Sequence, residues 1–321
     1  MHLNPLRVAA TAALCGGIVM LGLVPTQAAL ADPDPTVVNV PCSTSSLVAD
    51  MTSPPNNTVL NLAPGCTYWL TTSGLPTVMR QLTINGHGAW IKRSSAVDTP
   101  SFSIFVVGCT TGNLILKDVN VANGGGSEIR HGGAVDVTNG SASIYGGTFR
   151  GNTAPTGGAI ANYGTLTVVG ATFTDNSAEN GGAIYSEGTI KSATLDHDTF
   201  SHNYASELGG AVDNNDKMTV TDSLFRDNSA ANEGGAVYNE NDLTIKHSQF
   251  GMNSATWGGG IYNEATAAVD RSLITTNQAT DGGGGIYNEN GAVDVTLTGD
   301  VINSNVPDQC EPLNTMAGCT G

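Results

Sequence analysis

The sequence predicts an all-β chain wound into a solenoid of stacked parallel coils. The first observation behind this prediction is a repeat of about 25 residues that occurs seven times between residues 132 and 305. Each copy opens with Gly-Gly-Ala-Ile or a close variant and closes with Phe-x-x-Asn or Ile-x-x-Asn. A unit this short cannot bury its own apolar face, so the copies must stack on one another and share a continuous core.

The second observation is the alternation of apolar and polar residues within each copy, as in Leu166-Thr167-Val168 and Leu243-Thr244-Ile245. A period of two is typical of a strand with one buried face. When the copies are aligned on their closing Phe or Ile, the residue five positions earlier is apolar in all seven copies. The residue six positions earlier is Thr in five of them. The apolar column is therefore expected to face the core and the Thr column to face solvent.

The closing residues of the copies predict two internal ladders. Equivalent residues of a parallel stack lie about 4.8 Å apart, so the closing aromatic residues should stack inside the solenoid. The aromatic positions are Phe149, Phe173, Phe200, Phe225 and Phe250. The closing Asn residues should form an amide ladder that satisfies the backbone of the turn. The paired glycines predict a bend at which the backbone takes unusual dihedral angles or approaches its neighbour closely.

The start of the chain is typical of a cleavable secretory signal peptide over residues 1–31. It combines Arg7, an apolar stretch from Val8 to Val24 and the small-residue pattern Ala29-Leu30-Ala31. The mature protein is therefore expected outside the cell, either secreted or associated with the cell surface.

Three parts are predicted after the signal peptide. They are an N-terminal cap with the first strands at 32–81, the β-helix at 82–306 and a C-terminal cap or tail at 307–321. A short helix over residues 42–50, started by Ser43 or Thr44, should close the N-terminal end, because exposed strand edges invite aggregation.

Five cysteines follow the predicted signal peptide, and all of them lie outside the seven copies. They are Cys42, Cys66, Cys109, Cys310 and Cys319. An exported chain can form disulfides. The simplest pairs are Cys42 with Cys66 and Cys310 with Cys319, which leaves Cys109 free. The pair of Cys66 with Cys109 is a rival, because spacing alone does not define connectivity.

The charge of the chain excludes one class of partner. It carries 12 Lys and Arg against 28 Asp and Glu, a formal net charge of −16. Nucleic acid is excluded because phosphate binding needs a clustered basic face. A cationic ligand or a metal ion is compatible with this sign. No stable membrane insertion is expected after signal cleavage, since no later run approaches about 18 apolar residues.

One pair of columns predicts a ligand-binding surface. The residue after each Gly-Gly-Ala-Ile tetrad and the residue two positions later share an outward face of an extended strand. The first column holds Tyr185, Asp213, Tyr238, Tyr262 and Tyr287, and the second holds Glu187, Asn215, Glu240, Glu264 and Glu289. Tyr rings on sugar faces and acids on sugar hydroxyls would bind a polysaccharide or a cell-surface ligand. A row of carboxylates also suits Ca²⁺, although no cofactor is required. The alternative is that the ladders only reflect duplication of the repeat.

Another column supplies weak candidates for catalysis. Three residues before the closing Phe or Ile stand His197, Asp222, His247 and Arg271. Imidazole and carboxylate groups in neighbouring coils can act in acid–base catalysis or bind a metal. Other copies carry Gly146, Gly170 and Gly299 at this position, which favours a structural bend.

The repeat pattern resembles that of chlamydial polymorphic outer membrane proteins. The whole mature chain is also similar to secreted actinobacterial right-handed β-helix proteins of the pectin-lyase-like superfamily. That likeness rests on Cys66-Thr67-Tyr68-Trp69-Leu70, Leu82-Thr83-Ile84-Asn85-Gly86 and Pro307-Asp308-Gln309-Cys310. The resemblance implies a single-stranded right-handed parallel β-helix of about ten coils with a cap at each end. The first group implies adhesion, and the second implies polysaccharide lyases and hydrolases.

The enzyme motifs of the second group are mostly missing from the sequence. Its hydrolases carry Asn-Thr-Asp, Asp-Asp, Gly-His-Gly and Arg-x-Lys, of which this chain has only Gly86-His87-Gly88. Its lyases need Asp-bound Ca²⁺ and a basic proton acceptor. The sequence therefore predicts an extracellular, non-catalytic glycan-binding, surface-binding or adhesion protein. A polysaccharide lyase, or less favourably a glycoside hydrolase, is the alternative.

Overall fold

A computed structural model describes residues 34–126, 131–289, 295–312 and 316–319. The predicted signal peptide at residues 1–31 lies outside these ranges. Within them the chain forms strands almost throughout, and its one helix is Thr44–Met51. The residues from 35 onward form a compact unit of their own.

Three parallel sheets run along the solenoid, with 18, 10 and 5 strands among the described residues. The strands of the first sheet are Thr36–Val40, Thr58–Leu62, Gln81–Asn85, Phe105–Val107, Asn113–Lys117, Val135–Val137, Ser141–Tyr145, Ile160–Asn162, Thr165–Val169, Ile184–Asp196, Val212–Thr221, Val237–Asn239, Asp242–Lys246, Ile261–Asn263, Ala267–Asp270, Ile286–Asn288, Val295–Thr298 and Cys310–Glu311. Those of the second sheet are Thr67–Leu70, Trp90–Arg93, Asn120–Ala122, Thr148–Arg150, Thr172–Thr174, Thr199–Ser201, Leu224–Arg226, Gln249–Gly251, Leu273–Thr275 and Val301–Asn303. Those of the third sheet are Ser177–Asn180, Tyr204–Leu208, Ser229–Ala230, Ser254–Trp257 and Gln278–Gly282.

The copies stack in register, so that each column of the aligned sequence becomes a column in space. The closing residues show this pairing from coil to coil: Phe149 with Phe173, Phe173 with Phe200, Phe200 with Phe225 and Phe225 with Phe250. About 11 turns are stacked in this way. The predicted all-β solenoid of parallel coils is confirmed.

The five closing phenylalanines form the predicted aromatic ladder, and each is fully buried. Successive ring centroids lie 5.0, 4.9, 4.6 and 4.6 Å apart along the ladder. The apolar column five residues earlier lies in the same continuous core, as Val168, Leu195 and Val220 show. Burial of each such side chain contributes roughly 1.5–3 kcal/mol relative to an exposed one.

The closing asparagines form the predicted amide ladder beside the rings. The Asn228 side chain shows the pattern, because its Nδ2 donates to Asn253 Oδ1 and to the carbonyl of Phe200, both at 3.0 Å. Its own Oδ1 accepts the backbone N–H of Asn203 at 3.1 Å and the Asn203 Nδ2 at 2.9 Å. Each amide therefore satisfies polar groups on the coils before and after it, as buried polar groups require.

The glycine pairs make the bend that leads from the third sheet into the first. Gly234 has a φ of 67°, and a Cβ there would lie 2.5 Å from the carbonyl oxygen of Val237. A Cβ on Gly235 would lie 2.1 Å from the carbonyl oxygen of Gly259 in the next coil. Both the dihedral angle and the close approach of two backbones therefore exclude a side chain.

The helix at the N-terminal end matches its prediction, since Thr44–Met51 begins after Ser43, whose side chain accepts from the Ser46 N–H. The first sheet starts nearby, where Thr36–Val40 pairs with Thr58–Leu62. No helix in the described ranges is long and apolar enough to span a bilayer.

The two favoured disulfides are present, Cys42 with Cys66 and Cys310 with Cys319. The rival pairing of Cys66 with Cys109 is therefore wrong. None of the described cysteines is a free thiol, so the expectation that Cys109 is left free is also wrong.

Candidate functional site

A column of side chains outside the hydrophobic core runs along the first sheet. It lies one residue after each Gly-Gly-Ala-Ile tetrad, next to the buried residues Ile184, Val237 and Ile261. Register places these residues above one another: Val106, Asp136, Ala161, Tyr185, Asp213, Tyr238, Tyr262, Tyr287 and Glu311. The residues two positions later include Glu187, Asn215, Glu240, Glu264 and Glu289. We call the part of both columns from Tyr185 to Glu289 the tyrosine–acid strip.

Three tyrosines of the strip stack on one another. The ring centroids of Tyr238 and Tyr262 are 5.6 Å apart, and those of Tyr262 and Tyr287 are 4.9 Å apart. Tyr238 and Tyr262 are each only 5% exposed. The rings of Trp257 and Tyr287 make an edge-type contact, with their centroids 5.0 Å apart. The faces of the Tyr262 ring are taken up by its neighbours, so the predicted stacking of sugars on ring faces does not fit this residue.

A second aromatic group lies further towards the N-terminal end. Tyr163 and Tyr185 have ring centroids 5.9 Å apart, and His131 meets Tyr163 edge-on at 5.0 Å. The Tyr163 hydroxyl lies 2.8 Å from His131 Nδ1. Between this group and the Tyr238 stack, the strip carries Asp213 in place of a ring. The interruption separates the rings of Tyr185 and Tyr238.

Asp213 is a buried carboxyl group at this interruption, with only 1% of its surface exposed. One hydrogen bond holds it among the described residues, from Asn215 Nδ2 to Asp213 Oδ1 at 3.0 Å. Burial raises the pKa of Asp213 well above its usual value, and the neighbouring negative charge of Glu240 raises it further. The interruption therefore presents a carboxyl group whose charged form is disfavoured by burial.

The glutamates of the strip form an acidic rim beside the rings, and they are Glu187, Glu240, Glu264 and Glu289. Tyr185 donates its hydroxyl to Glu187 at 2.9 Å, and Tyr238 donates to Glu264. Burial and the Glu264 charge raise the pKa of both Glu233 and Glu240. None of the ion pairs within the described ranges involves an acid of the strip. The rim therefore carries negative charge that no described cation neutralises.

Asp136 extends the same column but is not part of the predicted site. Its Oδ1 is buried and makes no hydrogen bond. Burial raises the pKa of Asp136 from 3.8 to about 6. The folded protein therefore binds the proton of Asp136 more tightly than the unfolded chain does. The protonated Asp136 adds to the free energy of unfolding at pH values below 3.8, and this contribution is lost as the pH rises through about 6.

Replacing Asp136 with Asn should therefore stabilise the protein at high pH only. Near pH 8 the Asp136→Asn variant should have a free energy of unfolding higher than the parent by up to about 3 kcal/mol, because it has no charge to bury. Near about pH 4 the two should agree. Urea titrations at both pH values measure the difference. The exposed Asp118 supplies a control, since Asp118→Asn removes no buried carboxyl group and should not reproduce the gain near pH 8. An equal gain at both pH values for Asp136→Asn would contradict the prediction.

The second predicted set lies at the bend that ends the first sheet. His197, Asp222, His247 and Arg271 have φ values of 56°, 48°, 49° and 49°. The equivalent Gly146, Gly170 and Gly299 have φ values of 69°, 68° and 70°. All occupy the left-handed region, as the prediction of a bend requires. We call His197, Asp222 and His247, together with Asp196, the histidine–aspartate bend.

Side chains at the histidine–aspartate bend contact one another both within a coil and across coils. His197 Nδ1 lies 2.8 Å from Asp196 Oδ1, and His247 Nδ1 lies 3.8 Å from Asp222 Oδ1. The hydrogen bond to Asp196 raises the pKa of His197. Arg271 is engaged by the adjacent Asp270 at 2.7 Å, which lowers the pKa of that carboxyl group. The bend and the tyrosine–acid strip lie at opposite ends of strand Ile184–Asp196, so they are separate sites.

Several residues that adjoin the strip were not identified from the sequence. Tyr163 and Asp136 could have been found by extending both columns to the earlier copies, where the tetrads at Gly132 and Gly157 begin. Trp257 could not have been found in this way, because it lies in neither column of the aligned copies. It directly precedes a glycine pair, and only the bend brings its ring against Tyr287.

Comparison with known proteins identifies the fold family. Residues 133–302, more than half of the chain, match the family model described as the right handed beta helix region. No curated protein matches the chain significantly. The matched range contains the tyrosine–acid strip and the histidine–aspartate bend. The chain belongs to the right-handed β-helix family.

Proposed function

We propose that this chain is a secreted, extracellular β-helix protein that binds a glycan along the tyrosine–acid strip without acting on it chemically. The observation that carries the proposal is the strip itself. Stacked tyrosines and carboxylates repeat in register over several coils. A polymer with repeating hydroxyl groups fits such a row, because the same contact can recur from coil to coil.

An extracellular location is supported by the disulfides Cys42–Cys66 and Cys310–Cys319. Disulfides of this kind persist in oxidising compartments and are rare in the cytosol. The signal peptide predicted over residues 1–31 agrees with this location.

The proposed contacts use the exposed acids of the rim and not Asp213, which is only 1% exposed. Carboxylates accept hydrogen bonds from sugar hydroxyls, and charge-assisted bonds of this kind are stronger than neutral ones. Tyr185 and Tyr287 are only partly buried, whereas Tyr238 and Tyr262 are buried, so Tyr185 and Tyr287 are the rings of the strip that a sugar can contact. Because the rim is negative, a neutral or cationic polysaccharide fits better than a polyuronate.

Removing the rim charges should weaken glycan binding. We expect the triple variant Glu187→Gln, Glu240→Gln and Glu264→Gln to bind a neutral β-glucan or chitosan at least about 10-fold more weakly than the parent, because each lost charged acceptor costs about 1.5–3 kcal/mol. Affinity electrophoresis in gels that contain each polysaccharide measures the change. These substitutions are preferable to the truncation of Tyr238. Tyr238 is only 5% exposed, so the loss of its ring would also affect folding.

The matched control changes two exposed glutamates of the third sheet, Glu179 and Glu207, to Gln. That variant should keep parental binding, and all variants should keep the parental melting temperature. Equal retention of the triple variant and the parent would contradict the proposal. Binding that requires Ca²⁺, together with release of unsaturated products from a polyuronate, would instead support the polysaccharide lyase alternative.

A further inference from the structure

We propose that the histidine–aspartate bend binds one transition-metal ion through two imidazole nitrogens and two carboxylate oxygens. The donors are His197, His247, Asp196 and Asp222. This site is independent of the proposed glycan site, since it lies at the other end of strand Ile184–Asp196.

Register places the donors on three consecutive coils. Asp196 pairs with Thr221, and Thr221 pairs with Lys246, so the residues that follow them lie above one another. The backbone ladder continues into the bend, where the N–H of His197 donates to Thr221 and that of Asp222 donates to Lys246, both at 3.0 Å. One carboxylate therefore lies between two imidazoles, on coils about 4.8 Å apart.

The distances between donor atoms suit a four-coordinate ion. Ligand atoms of Asp196, His197 and Asp222 all lie within 4.8 Å of one another. His197 is 2.8 Å from Asp196, and His247 is 3.8 Å from Asp222. A tetrahedral ion with bonds of about 2.0–2.2 Å needs donor atoms about 3.4 Å apart. Three donors are therefore already grouped, and His247, whose Nδ1 lies 3.8 Å from Asp222 Oδ1, must rotate towards them to supply the fourth.

The chemistry of the donors selects the class of metal. Mixed imidazole and carboxylate donors suit Zn²⁺, Cu²⁺ or Ni²⁺, whereas Ca²⁺ and Mg²⁺ prefer oxygen donors alone. Two carboxylates neutralise the charge of a divalent ion. Arg271, the next residue of the same column, is already engaged by Asp270 at 2.7 Å, so it does not compete for these acids.

The exposure of the site allows a clean test. The side chains of His197 and His247 are 66% and 42% exposed, so their replacement does not disturb the core. Asn tolerates the left-handed backbone that both residues adopt. His202 is the matched control, because it is an exposed histidine with a φ of 55° at a different bend.

Titration calorimetry of the full chain with Zn²⁺ should show one ion per chain, and the double variant His197→Asn and His247→Asn should bind at least about 100-fold more weakly. The variant His202→Asn should bind like the parent. With Cu²⁺, the paramagnetic resonance spectrum of the parent should show coupling to two nitrogen nuclei. The proposal fails if the parent does not bind, if the double variant binds like the parent, if His202→Asn binds as weakly as the double variant, or if the copper spectrum shows only oxygen donors.

Discussion

Phe225→Ala is expected to lower the free energy of unfolding by about 4 kcal/mol. Phe225 is fully buried, and its ring is stacked at 4.6 Å on both Phe200 and Phe250. The substitution leaves a cavity within the ladder, and the two neighbouring rings each lose contacts on one face. The strands above and below are held by their own register, so the cavity cannot close by collapse of the coils. Urea denaturation followed by circular dichroism measures the loss.

The matched control for the aromatic ladder is Phe225→Ile. Ile274 and Ile302 occupy the same column in the last two copies and pair in register with it. A branched aliphatic side chain therefore fits this position, and the control should cost clearly less than the Ala variant. A loss below about 1 kcal/mol for Phe225→Ala would show that the rings do not support the stack as described.

Asn228→Ala is expected to be nearly as destabilising, although it removes no ring. The amide is 1% exposed, and four groups lose a partner when it is deleted: the backbone N–H of Asn203, the Asn203 Nδ2, the Asn253 Oδ1 and the carbonyl of Phe200. The Asn203 Nδ2 and the Asn253 Oδ1 each keep one other partner. Each buried polar group left without a partner costs about 1–3 kcal/mol, so a total of about 4 kcal/mol is expected. The same urea titration measures it.

Hydrogen exchange distinguishes this local effect from a general loss of stability. In the Asn228→Ala variant, the amide proton of Asn203 should exchange much faster than amide protons several coils away, because its acceptor is gone. Asn232 is the control, since it is exposed and its replacement by Ala removes no buried acceptor. Slow exchange at Asn203 in the Ala variant would argue against the ladder.

The fold could be predicted because stacking turns sequence repetition into spatial repetition. Once the copies wind in register, matching residues must become vertical neighbours, so Phe149 to Phe250 and Asn152 to Asn305 had to form ladders. The left-handed bend at His197 was predictable for the same reason, since Gly stands at the equivalent position in other copies.

The candidate site was predictable only in part. The tyrosine and glutamate columns follow from the repeat, but their burial does not. Tyr262 is almost completely covered by the rings on either side of it, and Asp213 is buried although its column faces away from the core. The spacing of the cysteines favoured the two disulfides, but only the structure excluded a Cys66–Cys109 pair, because it shows Cys66 bonded to Cys42.

The sequence alone determined that this chain is a stack of parallel coils, and it determined which residues share a column, because both follow from the period of the repeat. The tertiary structure decided how much of each outward side chain remains accessible and which donors meet across coils. Those properties depend on the curvature of the glycine bend and on residues of other columns, such as Trp257 against Tyr287. The period of the repeat does not specify how sharply the chain bends, so the exposure of the side chains and their contacts across coils could be read only from the folded structure.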